Sequence, residues 1–303
     1  MNARIQRLQV VLRLLLAGGL LIWLWPSRGP VAALAWAALG FWGYGLVMAL
    51  GFLALLLINR GEPAPARPPG LWELLRACWF EFWACERVFA WQQPFQAQRE
   101  PDHLPVAPNG RRGVLLLHGY SCNRGLWNGW LRRLREQGHA CVALNLEPAF
   151  GSIDDYADAI ETALRRLQQS TGMAPVIVAH SMGGLALRAW WRRHGGEGAV
   201  CLHRAFTLGS PHAGTVMAGL GPATNARQMR RGSAWLQALA AEEAQDFRAR
   251  LVCYYSNADQ VVCPAGTAVL AGAAVRYKPG LGHLRLVFDE GVFADLLAEL
   301  AAS

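Results

Sequence analysis

Nine residues, Val176 to Gly184 (VIVAHSMGG), restrict the architecture of this chain more than any other stretch. A run of β-branched apolar residues stops abruptly at Ala179-His180-Ser181-Met182-Gly183, and a helix-forming stretch follows at once. A strand that turns straight into a helix brings the two backbones close together, so the positions around the turn must be small. Ala179, Gly183 and Gly184 meet that demand, with Ala179 in a place more often held by glycine. Ser181 at the apex would then stand with its Oγ exposed above a parallel sheet, as a nucleophile does.

A serine hydroxyl is a poor nucleophile until a base takes its proton, and the base needs a carboxylate to fix its tautomer. Two downstream segments supply candidates. Leu251 to Val262 reads as a buried strand followed by a polar loop carrying Asp259. Ala274 to Leu284 reads as a last strand and a Gly-rich loop carrying His283. Both fall just past strand C-termini, where open α/β sheets gather their ligand groups. Asp259 could equally be a plain turn residue, since Asp is common after strands. Among the eight His, His180 adjoins the serine and is expected to point away from it, and His118 reads as a structural brace. A developing oxyanion also needs two N–H donors. Met182, directly after the serine, and Tyr120, directly after the strand that ends in His118-Gly119, are the candidates.

At these residues the chain resembles the α/β-hydrolase superfamily, and within it the bacterial lipase-like group. The matching pieces are Leu115–Trp127, Val176–Gly184, Leu208–Thr215, Asn225–Leu239, Ser256–Pro264 and Leu281–Phe288, in that order. The resemblance implies Ser181 as nucleophile, Asp259 as acid, His283 as base, and Tyr120 and Met182 as oxyanion donors. It does not extend to the first hundred residues.

From about residue 101 on, strands and helices alternate at α/β spacing. Six strands are expected, at 114–117, 140–144, 176–179, 205–208, 251–255 and 274–277, in a mostly parallel sheet. Helices are expected over 127–137, from Ser152 through Gln168, over 185–193 and over 292–301. Ser152 with Asp155 three residues on is an N-cap pair, so Asp154, Asp155 and Asp158 read as first-turn helix charges. The segment from about 212 to 250 is expected to act as a cap over the substrate, or else as ordinary packing helices. No calcium loop, zinc spacing or nucleotide-binding glycine loop occurs, so no cofactor is expected.

The first hundred residues read differently. Val31 to Ile58 contains 28 residues and no charge, where a spanning helix needs ~20 apolar residues. Leu8 to Trp25 is a second apolar run, interrupted by Arg13, whose head is expected to snorkel to the nearer surface. Residues 1–62 would then form a transmembrane helical hairpin turning at Pro26–Pro30, placing a 101–303 domain on the cytoplasmic face of the inner membrane. If Leu8 to Trp25 does not span, the same charge rule puts the domain outside. Within 63–100, a Pro-rich linker (Pro63–Pro69) leads into Leu71–Trp91. On a helical wheel Trp72, Trp79 and Trp83 lie within about 40° of one another. That suits a helix in the headgroup layer; a helix packed on the domain is the alternative.

The formal charge of +8 does not point to nucleic acid, because every basic residue but Lys278 is Arg and no nucleic-acid motif accompanies them. An anionic lipid bilayer is the better partner. Seven Cys without framework spacing fit a reducing compartment, although Cys253 and Cys263 could pair in an oxidising one. The expected protein is a membrane-anchored serine hydrolase of carboxylic, lipid acyl, esters. A thioesterase or acyltransferase with the same triad, or a non-catalytic membrane scaffold, are the alternatives.

Overall fold

The computed structural model describes residues 1–63, 67–108, 110–195 and 202–302, so the expected linker falls partly outside the described residues. The N-terminal helices are α1 (Asn2–Trp42), α2 (Tyr44–Ile58), α3 (Leu71–Cys85) and α4 (Gln93–Phe95), with a wider π-helical turn over Glu86–Gln92 between the last two. Continuous as α1 looks in length, it folds back on itself at Gly29, whose φ of 78° and ψ of 168° are open to glycine and not to residues with a Cβ. The two arms meet side by side. A Cβ at Gly40 would stand 2.8 Å from the Leu20 side chain, and Arg13 Nε donates to the Phe41 carbonyl at 2.7 Å.

Arg13 does not snorkel. Its Nη2 pairs with Glu86 Oε1 at 2.7 Å, and its guanidinium lies 4.2 Å from the Phe41 ring centroid. A partly buried carboxylate offers a charged guanidinium more than a bare helix flank does, and that partner lay 73 residues away in sequence.

Both arms are rooted in the remainder of the chain. Asn59 Nδ2 donates to the Asn257 carbonyl at 2.9 Å, and its Oδ1 accepts from the Ala265 N–H at 3.1 Å. Phe52 and Leu55 of α2 bury against Leu74, Ala77, Ala258 and Cys263. Helix α3 turns Leu74, Ala77, Glu81 and Ala84 inward and leaves Trp72, Trp79 and Trp83 exposed. It is therefore both packed on the domain and Trp-faced outward.

The rest is one parallel sheet covered by helices on both faces. Strands β1 (Val114–Leu117), β2 (Cys141–Leu144), β3 (Val176–His180), β4 (Arg204–Leu208), β5 (Leu251–Tyr255) and β6 (Ala274–Tyr277) pair in the order β2-β1-β3-β4-β5-β6, all parallel. The helices that follow are α5 (Asn128–Glu136), α6 (Ala157–Thr171), α7 (Met182–His194), α8 (Thr224–Gln228), α9 (Ala234–Glu242), α10 (Gln245–Ala249) and α11 (Glu290–Ala301). Alternation along the strands divides the core in two. Leu115, Leu117, Ile177 and Ala179 face α6 and α7, while Val114, Leu116, Val176 and Val178 face α5 and α11. Strands buried on both faces are why they read as continuous apolar runs.

Ser152 does cap its helix: Asp154 donates its N–H to Ser152 Oγ at 3.3 Å, and Asp155 Oδ2 accepts from the Ser152 N–H at 3.0 Å. The stretch from 212 to 250 packs mainly on α7. Arg188 of α7 donates to Glu243 Oε2 at 3.0 Å and to the His212 carbonyl at 2.8 Å, in a pair that is almost wholly buried. Trp191 stacks on Phe247 with ring centroids 4.5 Å apart. Cys253 and Cys263 are buried free thiols.

Candidate functional site

Ser181 sits at the β3–α7 junction with φ 55° and ψ −127°, a left-handed conformation rare for a residue with a Cβ. The surroundings hold it there. Its N–H donates to the Leu208 carbonyl at 2.9 Å, and its carbonyl accepts from the Gly184 N–H at 3.0 Å. A Cβ on Gly183 would stand 2.7 Å from the Leu117 carbonyl oxygen, and one on Gly184 would stand 2.2 Å from Ser210 Oγ. Small residues at these positions are a steric requirement of the turn.

His283, on the loop after β6, places Nδ1 2.8 Å from Asp259 Oδ2. The other Asp259 oxygen accepts the N–H groups of Val261 (2.9 Å) and Val262 (2.8 Å), so the carboxylate is oriented before it meets the ring. All three residues are nearly buried. Burial pulls the imidazole down, but the Asp259 charge, its hydrogen bond and the charge of Glu81 outweigh it, and the pKa stands above the ordinary 6.5. With Nδ1 engaged, Nε2 is the nitrogen left to exchange a proton. Asp259 is thus no mere turn residue: it does both, bracing its own loop and facing the ring.

Met182 is the first residue of α7, where a helix N–H has no acceptor within the helix. Tyr120 follows β1 and lines, with Ser181 and His283, a cavity of about 140 Å³. These loops flank the point between β1 and β3 where the order of strands across the sheet reverses, the place where open α/β sheets bind ligands. His118 is a brace: Nδ1 meets the Gly119 carbonyl at 2.9 Å, and Nε2 accepts the Leu146 N–H at 3.0 Å. Burial drops its pKa to about 4, so it is neutral.

The model of the Alpha/beta hydrolase family matches residues 114–298, the span that holds the whole sheet and all five candidate residues. The chain belongs to the alpha/beta hydrolase family. Among solved structures, this hydrolase is similar in fold to the mature form of Bacillus licheniformis lipase BlEst2, at 15% identity and a TM-score of 0.56, over 66% of this chain and 96% of that one. The propeptide form of the same lipase aligns at 16% identity and a TM-score of 0.53, over 65% of this chain and 52% of that one. No curated protein sequence matches this hydrolase.

Three groups in this hydrolase's site went unread in the sequence. Glu81 of α3 reaches the His283 loop, where its oxygens accept the N–H groups of Leu284 (2.7 Å) and Arg285 (3.1 Å). Burial raises its pKa above 4.5, against the pull of those two N–H groups and of His283. Glu81 lies within a Trp-rich helix, and nothing in the spacing of that helix marks a partner 203 residues away. Asn2 and Gln6 of α1 hold the loop after Tyr120, donating to the carbonyls of Cys122 (2.5 Å) and Ser121 (3.0 Å). His180 does not point away from the site: it lines the cavity, with Nε2 3.2 Å from the His283 carbonyl and its ring 4.5 Å from the His283 ring.

Proposed function

We propose that this chain is a membrane-anchored serine hydrolase that cleaves carboxylic esters of lipids. The observation that carries the reading is the Asp259–His283 pair at 2.8 Å, whose imidazole lines with Ser181 a single cavity over the strained turn. In this reading His283 Nε2 takes the Ser181 proton as Oγ bonds to the ester carbonyl carbon. The resulting oxyanion accepts hydrogen bonds from the N–H groups of Met182 and Tyr120. Collapse breaks the ester C–O bond, and the departing alkoxide takes the proton from His283 and leaves as the alcohol. Water then attacks the acyl-enzyme, gives a proton to His283, and the carboxylic acid leaves as Ser181 recovers its own. Asp259 holds the ring and stabilises its charged form throughout.

Support for the anchor comes from the hairpin. Its two arms run antiparallel and are both rooted on the catalytic domain, so a crossing by one implies a crossing by the other. Val11 to Arg28 rises about 27 Å at ~1.5 Å per residue, close to the ~30 Å hydrocarbon core. The outer faces carry Leu15, Ile22, Trp23, Val31 and Val47 bare to their surroundings. The return of both arms to one side, with basic residues there, favours the cytoplasmic face.

The test is Ser181→Ala in the full-length protein in liposomes. Ester hydrolysis should fall by several orders of magnitude and fluorophosphonate labelling should vanish, with membrane association intact. Hydrolysis that survives the substitution refutes the mechanism.

A further inference from the structure

Beside the small cavity over Ser181 lies a larger cleft of about 720 Å³, a size suited to a small-molecule ligand. Its walls come from four places along the chain: Val10 of α1, Met48 and Gly51 of α2, Phe89 of the π-helical turn, and Met217 and Val261 of the hydrolase domain. Cys85, Phe89, Gln260 and Val261 line both spaces, so the cleft adjoins the one that holds Ser181 and His283 with only these side chains between them.

The lining excludes most occupants. Its two charged groups, Arg13 and Glu86, are spent on each other at 2.7 Å, and Tyr44 also donates to Glu86. The described walls therefore carry no net charge and are otherwise mostly apolar, conditions that favour a neutral hydrocarbon over a headgroup or a nucleotide. Leu12 and Val47 of the lining, and Leu50 of α2, are exposed and apolar too. A chain passing from hydrocarbon into this cleft would not cross water.

We propose that the cleft between the N-terminal hairpin and the hydrolase domain is the channel for the substrate's acyl chain, and that Gly51 helps set the length accepted. This rests on reading the chain as a lipid-ester hydrolase. A Cβ at Gly51 meets nothing within 4 Å, so the position opens directly on the void. A larger side chain there starts from a Cβ that meets nothing and extends into the channel, in a helix whose interior glycine is itself unfavourable.

The experiment compares full-length wild type, Gly51→Phe, Met217→Phe and Gly19→Phe in detergent, on p-nitrophenyl butyrate and p-nitrophenyl palmitate. Gly51→Phe narrows the cleft from the hairpin side and Met217→Phe from the domain side, so misfolding of one leaves the other to decide. Gly19 lies on an exposed face of α1 with open space around it and lines no part of the cleft. Both cleft variants should lower the palmitate-to-butyrate ratio of kcat/KM by on the order of tenfold or more, since each methylene displaced from an apolar site is worth about fourfold. Gly19→Phe should leave the ratio where wild type has it. Wild-type ratios in both cleft variants, or an equal fall in Gly19→Phe, overturn the channel. Wild type that neither hydrolyses an ester nor takes a fluorophosphonate label sinks the underlying reading instead.

Discussion

Glu81 accepts the backbone N–H of Leu284 at 2.7 Å, tying the Trp-rich N-terminal helix to the loop that presents His283. The contact spans 203 residues of chain and is almost wholly buried. It makes the first hundred residues a structural part of the site.

Removing that carboxylate should disturb the site in a recognisable way. Glu81→Ala leaves two buried N–H groups without acceptors, a loss of about 1–3 kcal/mol each, and should lower kcat more than it raises KM. Glu81→Gln keeps an acceptor but loses the charge that raises the His283 pKa. Its acid limb should therefore move to lower pH. An unmoved limb in Glu81→Gln would mean that the carboxylate is merely structural.

The pH profile of the wild type follows from His283. A base must be neutral, and this imidazole has a pKa raised above 6.5. Activity should fall as pH drops through that raised value and reach its plateau above it. In Asp259→Asn the opposing charge is gone and burial prevails, so the midpoint should shift down. The plateau should also drop by on the order of 10⁴, as it does when a triad carboxylate is neutralised. Initial rates from pH titration of the two proteins test both parts.

Asn2 and Gln6 predict an effect at a distance along the chain. They hold the carbonyls of Cys122 and Ser121, next to the Tyr120 N–H. The double change Asn2→Ala, Gln6→Ala should cost roughly 1 kcal/mol per hydrogen bond in stability. If Tyr120 is an oxyanion donor, kcat should fall by about tenfold to a hundredfold from its misplacement. Thermal melts beside steady-state kinetics separate the two, and unchanged kcat would remove Tyr120 from the mechanism.

The Arg188–Glu243 pair does not line the cavity over Ser181 and should behave as a fold element. Both side chains are only 1% exposed. Glu243→Ala strands a buried guanidinium and should cost about 3–5 kcal/mol, read as a lowered denaturant midpoint. Replacing both partners with Met and Leu should recover most of that loss.

The sequence by itself determined the sheet and the order of the candidate groups along it. Parallel strands buried on both faces write themselves as short apolar runs, and the six expected strands matched to within a residue at each end. The elbow was legible because its small residues answer a local clash, and Asp259 and His283 because they follow strand ends within their own loops. The hairpin turn at Pro26–Pro30 was legible for the same local reason. Tertiary structure alone decided what surrounds those groups. Glu81, Asn2 and Gln6 reach the site from helices whose periodicity carries no mark of a distant partner, and Arg13 found Glu86 because the hairpin brought them together. Of the segment from 212 to 250, Met217 is the residue that lines the cleft, while the first hundred residues supply most of its walls. Spacing along a chain records which face of an element is buried; it does not record which other element buries it.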